Sequence, residues 1–386
     1  MLTGSVALKE DDLQFISTQA GDILADNPDG LGLYHQDTRF LNRFELTVNG
    51  FKPVFLSHSM NKHYIATFQS VNPGFRLHDG ARVKQQTISI RRSRFVSDKG
   101  LYERLGFLNC NPFPVDLEVD LAVDADFRDM FSVRGFKTQR VAGEISVSFG
   151  GEDLTFSYRG RDEVLRQTRV TFDRMPESIS PREVRFPVHL EPNQSDSIVV
   201  RVQPCIGVDV PPLEADFDGQ LDGLAASYRS WDENSTQIST NNELFDRELL
   251  RASRYDIRTL LEQTPYGIVP DAGVPWYAVP FGRDAIFTAL QTLMYNPSIA
   301  EGTLRFLAAH QGVEEDPFRE EQPGKIMHEL RRGELARLKE VPHTPYYGTV
   351  DATPLFLVLF VEAMDWLDSD ELYDDISPAA MRALEW

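Results

Sequence analysis

Leu117 to Asp124 reads LEVDLAVD, in which Leu117, Val119, Leu121 and Val123 alternate with Glu118, Asp120, Ala122 and Asp124. Successive side chains of an extended chain point to opposite faces, so a period of two makes one buried and one wet face. Val83–Ile90 (VKQQTISI) and Ser197–Val202 (SIVVRV) look similar. Between such runs stand Asn49-Gly50, Lys99-Gly100, Gly150-Gly151 and Pro192-Asn193, residue pairs suited to turns. Many short strands with dense turns predict an antiparallel β-sandwich over residues 1–206.

The pattern changes after residue 207. Residues 207–241 read as a linker, with Val208–Asp218 rich in Pro and Asp and a linking helix over Gly219–Trp231. From Asn242 onward the apolar period becomes helical: Leu244, Leu249, Leu250, Ile257, Leu260 and Leu261 fit one amphipathic helix behind an Asn cap. Further helices are predicted over Asp284–Tyr295, Ile299–Gln311, Pro323–Arg332 and Thr353–Leu367, joined by long loops rich in Gly, Pro and aromatic residues. The expected fold class is therefore multi-domain β + α.

Bulk properties narrow the function. A length of 386 residues suits two domains, and 41% hydrophobic with 25% charged residues is a folded composition. A net charge of −20 argues against a nucleic-acid partner or an anionic membrane, whereas a neutral ligand such as a sugar is indifferent to it. Two cysteines, Cys110 and Cys205, point away from a disulfide scaffold and toward a reducing compartment. Met1–Asp12 carries charge early and no secretory apolar core, and the most apolar run, Leu355–Val361, is too short to span a bilayer. A cytoplasmic location is expected.

Four stretches carry candidate chemistry. Tyr266–Leu290 (YGIVPDAGVPWYAVPFGRDAIFTAL) brings Trp276, Tyr277 and Phe281 up to Arg283-Asp284 at a helix start. Aromatic faces can stack on sugar C–H surfaces, while Arg donates to and Asp accepts from adjacent hydroxyls. The plainer reading is that Asp284 caps the helix and pairs with Arg283. Asp316–Arg332 (DPFREEQPGKIMHELRR) places Glu320, Glu321, His328 and Glu329 either on a binding loop or on a solvated helix with a Lys325–Glu329 pair. His343–Phe356 (HTPYYGTVDATPLF) sets Asp351 among aromatic and small residues. Desolvation there would raise its pKa, as a general acid needs, but the same Asp also fits a helix N-cap. In the β half, Gly32–Gly50 (GLYHQDTRFLNRFELTVNG) and Asp124–Gly135 (DADFRDMFSVRG) suggest a buried ion pair between Asp37 and an Arg holding strands together. Spacing alone leaves these alternatives open. Nucleophile-elbow, Walker, HExxH and Rossmann patterns are absent.

The last two runs resemble the N-terminal domain of bacterial glycogen debranching enzymes, or amylo-α-1,6-glucosidases. VPWYAVPFGRDAIFTALQTL, REEQPGKIMHELRRGE and PYYGTVDATPLFLVL resemble the catalytic domain of the same family, and all five occur in the family's order. The resemblance implies a partial (α/α)6 toroid over residues 242–386 and an inverting glycosidase acting on an oligo- or polysaccharide. In such enzymes acid and base carboxylates stand roughly 6.5–9.5 Å apart and suffice without metal or cofactor. It also implies roles: Arg283 and Asp284 hold the terminal sugar, Asp351 is the general acid, His328 and Glu329 line or support the sugar site, and Trp276 and Tyr277 are stacking walls. Six helix pairs need about 300 residues at ordinary lengths. Asn242–Trp386 spans about half of that and holds no match to the family's base. The chain is thus expected to be an inactive fragment of a hydrolase of terminal α-glucosidic bonds. The alternatives are a non-catalytic carbohydrate-binding protein, or a toroid glycosidase for trehalose, mannosylglycerate or rhamnosides.

Overall fold

The computed structural model describes residues 4–386 except 26, 28, 61, 78–79, 81, 98, 137–142 and 209, so the first three residues of the N-terminal segment lie outside the description. The chain divides into two compact units, one of Met1–Lys9 with Leu13–Leu224 and one of Glu10–Asp12 with Ala225–Trp386.

The first unit is built of antiparallel sheets. Its eight-stranded sheet runs, in spatial order, through Ile145–Gly150, Asp153–Arg159, Leu165–Phe172, Ser195–Ile206, Gly100–Asn109, Ile88–Ser97, Ile65–Val71 and Val54–Ser59. A four-stranded sheet orders Ser178–Ser180, Glu183–Leu190, Val115–Asp124 and Arg43–Val48. The rings of Phe172 and Phe186, one from each sheet, meet edge to face at 5.1 Å, a sandwich-like contact. The alternation at Leu117, Val119, Leu121 and Val123 has its physical outcome here, since all four are buried. Asp120 departs from the pattern: it is buried too, because Arg185 Nε donates to it at 2.6 Å.

Deeper in this unit lies a closed ionic network. Arg92 donates to Glu103 and Asp22, both at 2.6 Å, and Arg94 donates to Glu103 at 2.7 Å and to the Gly21 carbonyl at 2.8 Å. The Arg94 guanidinium stacks over Phe15 at 4.3 Å. Burial pulls Arg94 down to about 10, whereas the two guanidiniums overcome burial to hold Glu103 below the usual carboxylate range. The two β-half runs singled out in the sequence also come together. Strand Thr38–Leu41 pairs with Arg128–Asp129, and Arg39 donates through Nε to Asp126 at 3.1 Å. Asp37 is buried beside them with its carbonyl accepting from Met130 N at 2.7 Å.

The second unit is mainly helical. The boundary between units falls inside helix α1 (Phe217–Glu233), the predicted linking helix. Asn242 caps as expected, its side chain accepting from Phe245 N at 3.1 Å. The helix that follows passes through a π-helical stretch, Asp246–Arg251, into α2 (Ala252–Leu260). Leu244 and Leu249 are exposed and Leu261 already belongs to a strand, so the expected single amphipathic face is interrupted. Where the sequence suggested the end of a helix at Leu261 and then a loop around Trp276 and Tyr277, Leu261–Thr264, Gly267–Gly273 and Tyr277–Pro280 form a three-stranded sheet. Helices α3 (Gly282–Thr292), α4 (Ser298–Ala309), α5 (Ala352–Leu367) and α6 (Asp370–Glu385) follow. Helix α3 packs on α4 and α5, and α5 packs on α6, around Ala285, Ala289, Leu304, Phe356, Leu359 and Ile376.

The predicted helix Pro323–Arg332 is not one; its segment is irregular and extended. Gly324 takes φ +87°, and a Cβ there would lie 2.2 Å from the Arg382 carbonyl. Beyond it the backbone hydrogen-bonds across to other segments: His328 N to Tyr346 O at 2.7 Å and Arg331 N to His343 O at 2.7 Å. These bonds replace the i to i−4 bonds of a helix. The Lys325–Glu329 pair does not form either, and Lys325 Nζ donates to the Glu320 carbonyl at 3.1 Å. Among the described residues no helix is long and apolar enough to cross a membrane.

Candidate active site

Three separately identified stretches meet at the start of α3 and α5. Gly282 begins α3, and its N–H donates to the His328 carbonyl at 2.8 Å. Only glycine fits: a Cβ at 282 would stand 2.1 Å from the Met327 carbonyl. Single β-bridges join Glu329 to Phe281 on one side and to Tyr346 on the other. The extended 327–329 segment is thereby laced between the entry to α3 and the loop that leads into α5.

Across this junction Arg283 Nη1 donates to Asp351 Oδ2 at 2.8 Å, joining residues 68 positions apart. Both stay open to solvent, with side chains 45% and 36% exposed. Asp284, in the first turn of α3, lies 4.0 Å from Arg283 Nε and is 42% exposed. Asp351 stands at the N-cap position of α5, yet its side chain makes no capping bond. It accepts instead from the Thr349 hydroxyl and from Arg283. Helix N-termini carry partial positive charge, which adds to what favours the ionised form of Asp351.

Protonation corrects one expectation. The Thr349 hydroxyl, then Arg283, hold the Asp351 carboxyl below its ordinary value and outweigh a smaller push from burial. The desolvated pocket expected to raise Asp351 is not present, because this side chain is too exposed. Burial lowers His328, whose ring stands edge-on to Phe281 at 5.3 Å and to Tyr346 at 6.0 Å. Its Nδ1 is buried with no hydrogen-bond partner.

Glu329 is buried, and its carboxylate is already engaged by His343 Nε2 at 2.6 Å and Arg331 Nη2 at 3.3 Å. Burial pushes it up, but His343 and Arg331 together hold it below the usual range. Tyr277 is exposed and its ring approaches Phe281 edge to face at 5.9 Å. Trp276 is half-buried, and its carbonyl accepts from Arg331 Nη2 at 3.0 Å.

The sequence reading missed Thr349, Tyr346 and His343 as partners, although all three lie in a stretch it had singled out. It also missed Glu262, whose strand was not foreseen. Glu262 is buried and accepts from Arg332 Nη1 at 2.6 Å. Burial, with the negative charge of Asp271 adding, pushes Glu262 up to about 7.

A family described as the N-terminal domain of some glycogen debranching enzymes matches residues 8–201, about half of the chain. The chain belongs to this family. No curated protein matches it. Among solved structures, a protein described as a kojibiose phosphorylase from the human microbiome superposes with a TM-score of 0.64 at 10% identity. The match covers 98% of this chain but 56% of that one, so the chain spans little more than half of that relative's length. A glycosyl hydrolase of family GH92 matches at a TM-score of 0.44 and 11% identity, over 98% of this chain and 54% of its own. A protein of Escherichia coli K12 described as an aldose 1-epimerase matches at 0.29 and 9%, over 52% and 98%. At 10% identity the first shows the fold: β-rich sheets followed by helices, as in a carbohydrate-active phosphorylase.

Proposed function

We propose that the whole protein is a glycoside hydrolase of the glycogen-debranching type, in which water cleaves terminal α-glucosidic bonds of an oligo- or polysaccharide with inversion at the anomeric carbon. In this reading residues 1–206 are the β domain, 207–241 the linker, and 242–386 part of an (α/α)6 toroid in a cytoplasmic protein. The observation that carries the proposal is the contact of Arg283 with Asp351 at 2.8 Å, at a junction where the three stretches that resemble a debranching enzyme's catalytic domain meet.

Each side chain has a task. Arg283 donates to one sugar hydroxyl while Asp284 accepts from its neighbour. Tyr277, Phe281 and Trp276 offer apolar faces to the ring. Asp351, ionised in the free protein, gains its proton as the sugar draws Arg283 away and covers the carboxyl. Lost charge pairing and burial both raise a carboxylate's pKa. Asp351 then protonates the leaving oxygen. No residue of this chain is assigned as the base.

The lowered pKa of Asp351 favours a second reading, saccharide binding without turnover, since a carboxylate that stays ionised cannot act as an acid. Incubation of the whole protein with isomaltose and maltose, with glucose release as the readout, separates the two. Hydrolysis abolished by Asp351→Asn supports the first. Saccharide binding without glucose release supports the second. Absence of both binding and release sinks the site.

A further inference from the structure

Outside the candidate active site, the β unit holds a cavity of about 310 Å³. It is lined by Glu152, Asp153, Arg169, Arg201, Gln203 and Leu213, among others. Its floor is the eight-stranded sheet, where Thr171 stands opposite Arg201 and Arg169 opposite Gln203. The chain from Val210 onward is fastened over it. Arg169 Nη1 donates to the Val210 carbonyl and Gln203 Nε2 to the Pro211 carbonyl, each at 2.8 Å.

The two guanidiniums set this cavity apart. Arg201 is 7% exposed. Its bonds run to neutral acceptors only, the Thr171 hydroxyl at 3.1 Å and the Phe172 carbonyl at 2.8 Å, and its Nη1 has no partner. Arg169 likewise donates only to the Val210 carbonyl and to the Gln167 amide oxygen at 3.3 Å. Among the described residues neither arginine forms an ion pair, in contrast to Arg92, Arg94, Arg166 and Arg185 of the same unit. Arginine stays charged in proteins, and a buried cation without a counter-charge is costly. Glu152 and Asp153 also line the cavity but pair with neither arginine, so the guanidiniums of Arg169 and Arg201 are left without a direct counter-charge and are suited to an anion.

The rest of the lining narrows its class. Guanidiniums bind phosphoryl oxygens through paired N–H donors. Gln203, Thr171, Glu152 and Asp153 offer partners for hydroxyls, the two carboxylates being exposed. Phe172, Pro212 and Leu213 supply apolar contact. The cavity has room beyond a bare phosphate ion. We propose that it binds a small phosphate ester of hexose-monophosphate size, with Arg169 and Arg201 on the phosphoryl group.

The test is calorimetric titration of the chain with glucose 6-phosphate and, separately, with inorganic phosphate. The expected result is saturable binding of the ester, weakened at least tenfold in Arg201→Gln and in Arg169→Gln, and unchanged in Arg283→Gln. The last variant separates this cavity from the candidate active site. Arg169 is half-buried, so its variant remains informative if Arg201→Gln fails to fold. Binding of inorganic phosphate alone, with the same arginine dependence, would overturn the ester. Absence of saturable binding, or binding that Arg169→Gln leaves intact, would overturn the site.

Discussion

Glu103 of the β unit and Asp351 of the helical unit are both carboxylates held by arginine, but they live in different media. Glu103 and Arg94 are 0% exposed, and Arg92 closes the group from a second side. Asp351 and Arg283 stand 36% and 45% exposed at the mouth of two helices. A buried pair cannot lose one member without stranding a charge, whereas an exposed pair is worth about 0–1 kcal/mol and opens easily. The first kind of pair holds a fold. The second kind can exchange its partner for a ligand, and it is found where the candidate site lies.

The largest effect should come from breaking the sealed pair. Glu103→Gln leaves Arg92 and Arg94 short of charge, and a loss of about 3–5 kcal/mol in urea unfolding is expected. A loss below about 1 kcal/mol would put this network in the same class as the exposed pair and remove the contrast. Next comes the junction itself. Gly282→Ala drives a Cβ to 2.1 Å from the Met327 carbonyl and 3.2 Å from Ala352. It should cost about 1–3 kcal/mol as an overpacked site, and weaken saccharide binding, because Met327 and Ala352 adjoin His328 and Asp351. Wild-type stability together with wild-type binding would mean that the lacing of these segments does not shape the site.

A smaller effect concerns Glu262, a buried carboxylate of the helical unit that sits between the two extremes. Its pKa is about 7 in the fold, above the ordinary 4.5. The fold therefore binds this proton more tightly than the unfolded chain does, and its contribution is fully present below about pH 4.5. It is lost as the pH rises toward 7, because ionising the buried group favours unfolding. Glu262→Gln should flatten the fall in stability across that window, as measured by thermal melts in a pH series. An unchanged slope would show that Glu262 is not the group responsible.

Legibility followed the range of the interactions. The strand Val115–Asp124 could be read because its alternation is local, and helices α3 to α5 because their apolar period and flanking residues are local too. The 323–332 segment could not. Its buried Ile326 and Met327 mimic a helical stripe, but the backbone bonds that hold it extended come from Tyr346 and His343. The strands between Leu261 and Pro280 were hidden for a similar reason, since the run is punctuated by Gly and Pro and its pairing needs the whole sheet. Within the candidate site, the residues were singled out by resemblance alone. Their partners were not: Arg283 passes over adjacent Asp284 for Asp351, and Glu329 turns inward to His343. The protonation of Asp351 depends on Thr349, two residues away, through a hydrogen bond that no pattern announces.

The most direct test of the open-pair account is calorimetric titration of wild type, Arg283→Gln and Asp351→Asn with isomaltose, beside their unfolding curves. The account predicts saturable binding by wild type and at least tenfold weaker binding by each variant, with stabilities within about 1 kcal/mol of wild type. Equal affinity in all three would contradict it, as would variants that lose binding only because they unfold.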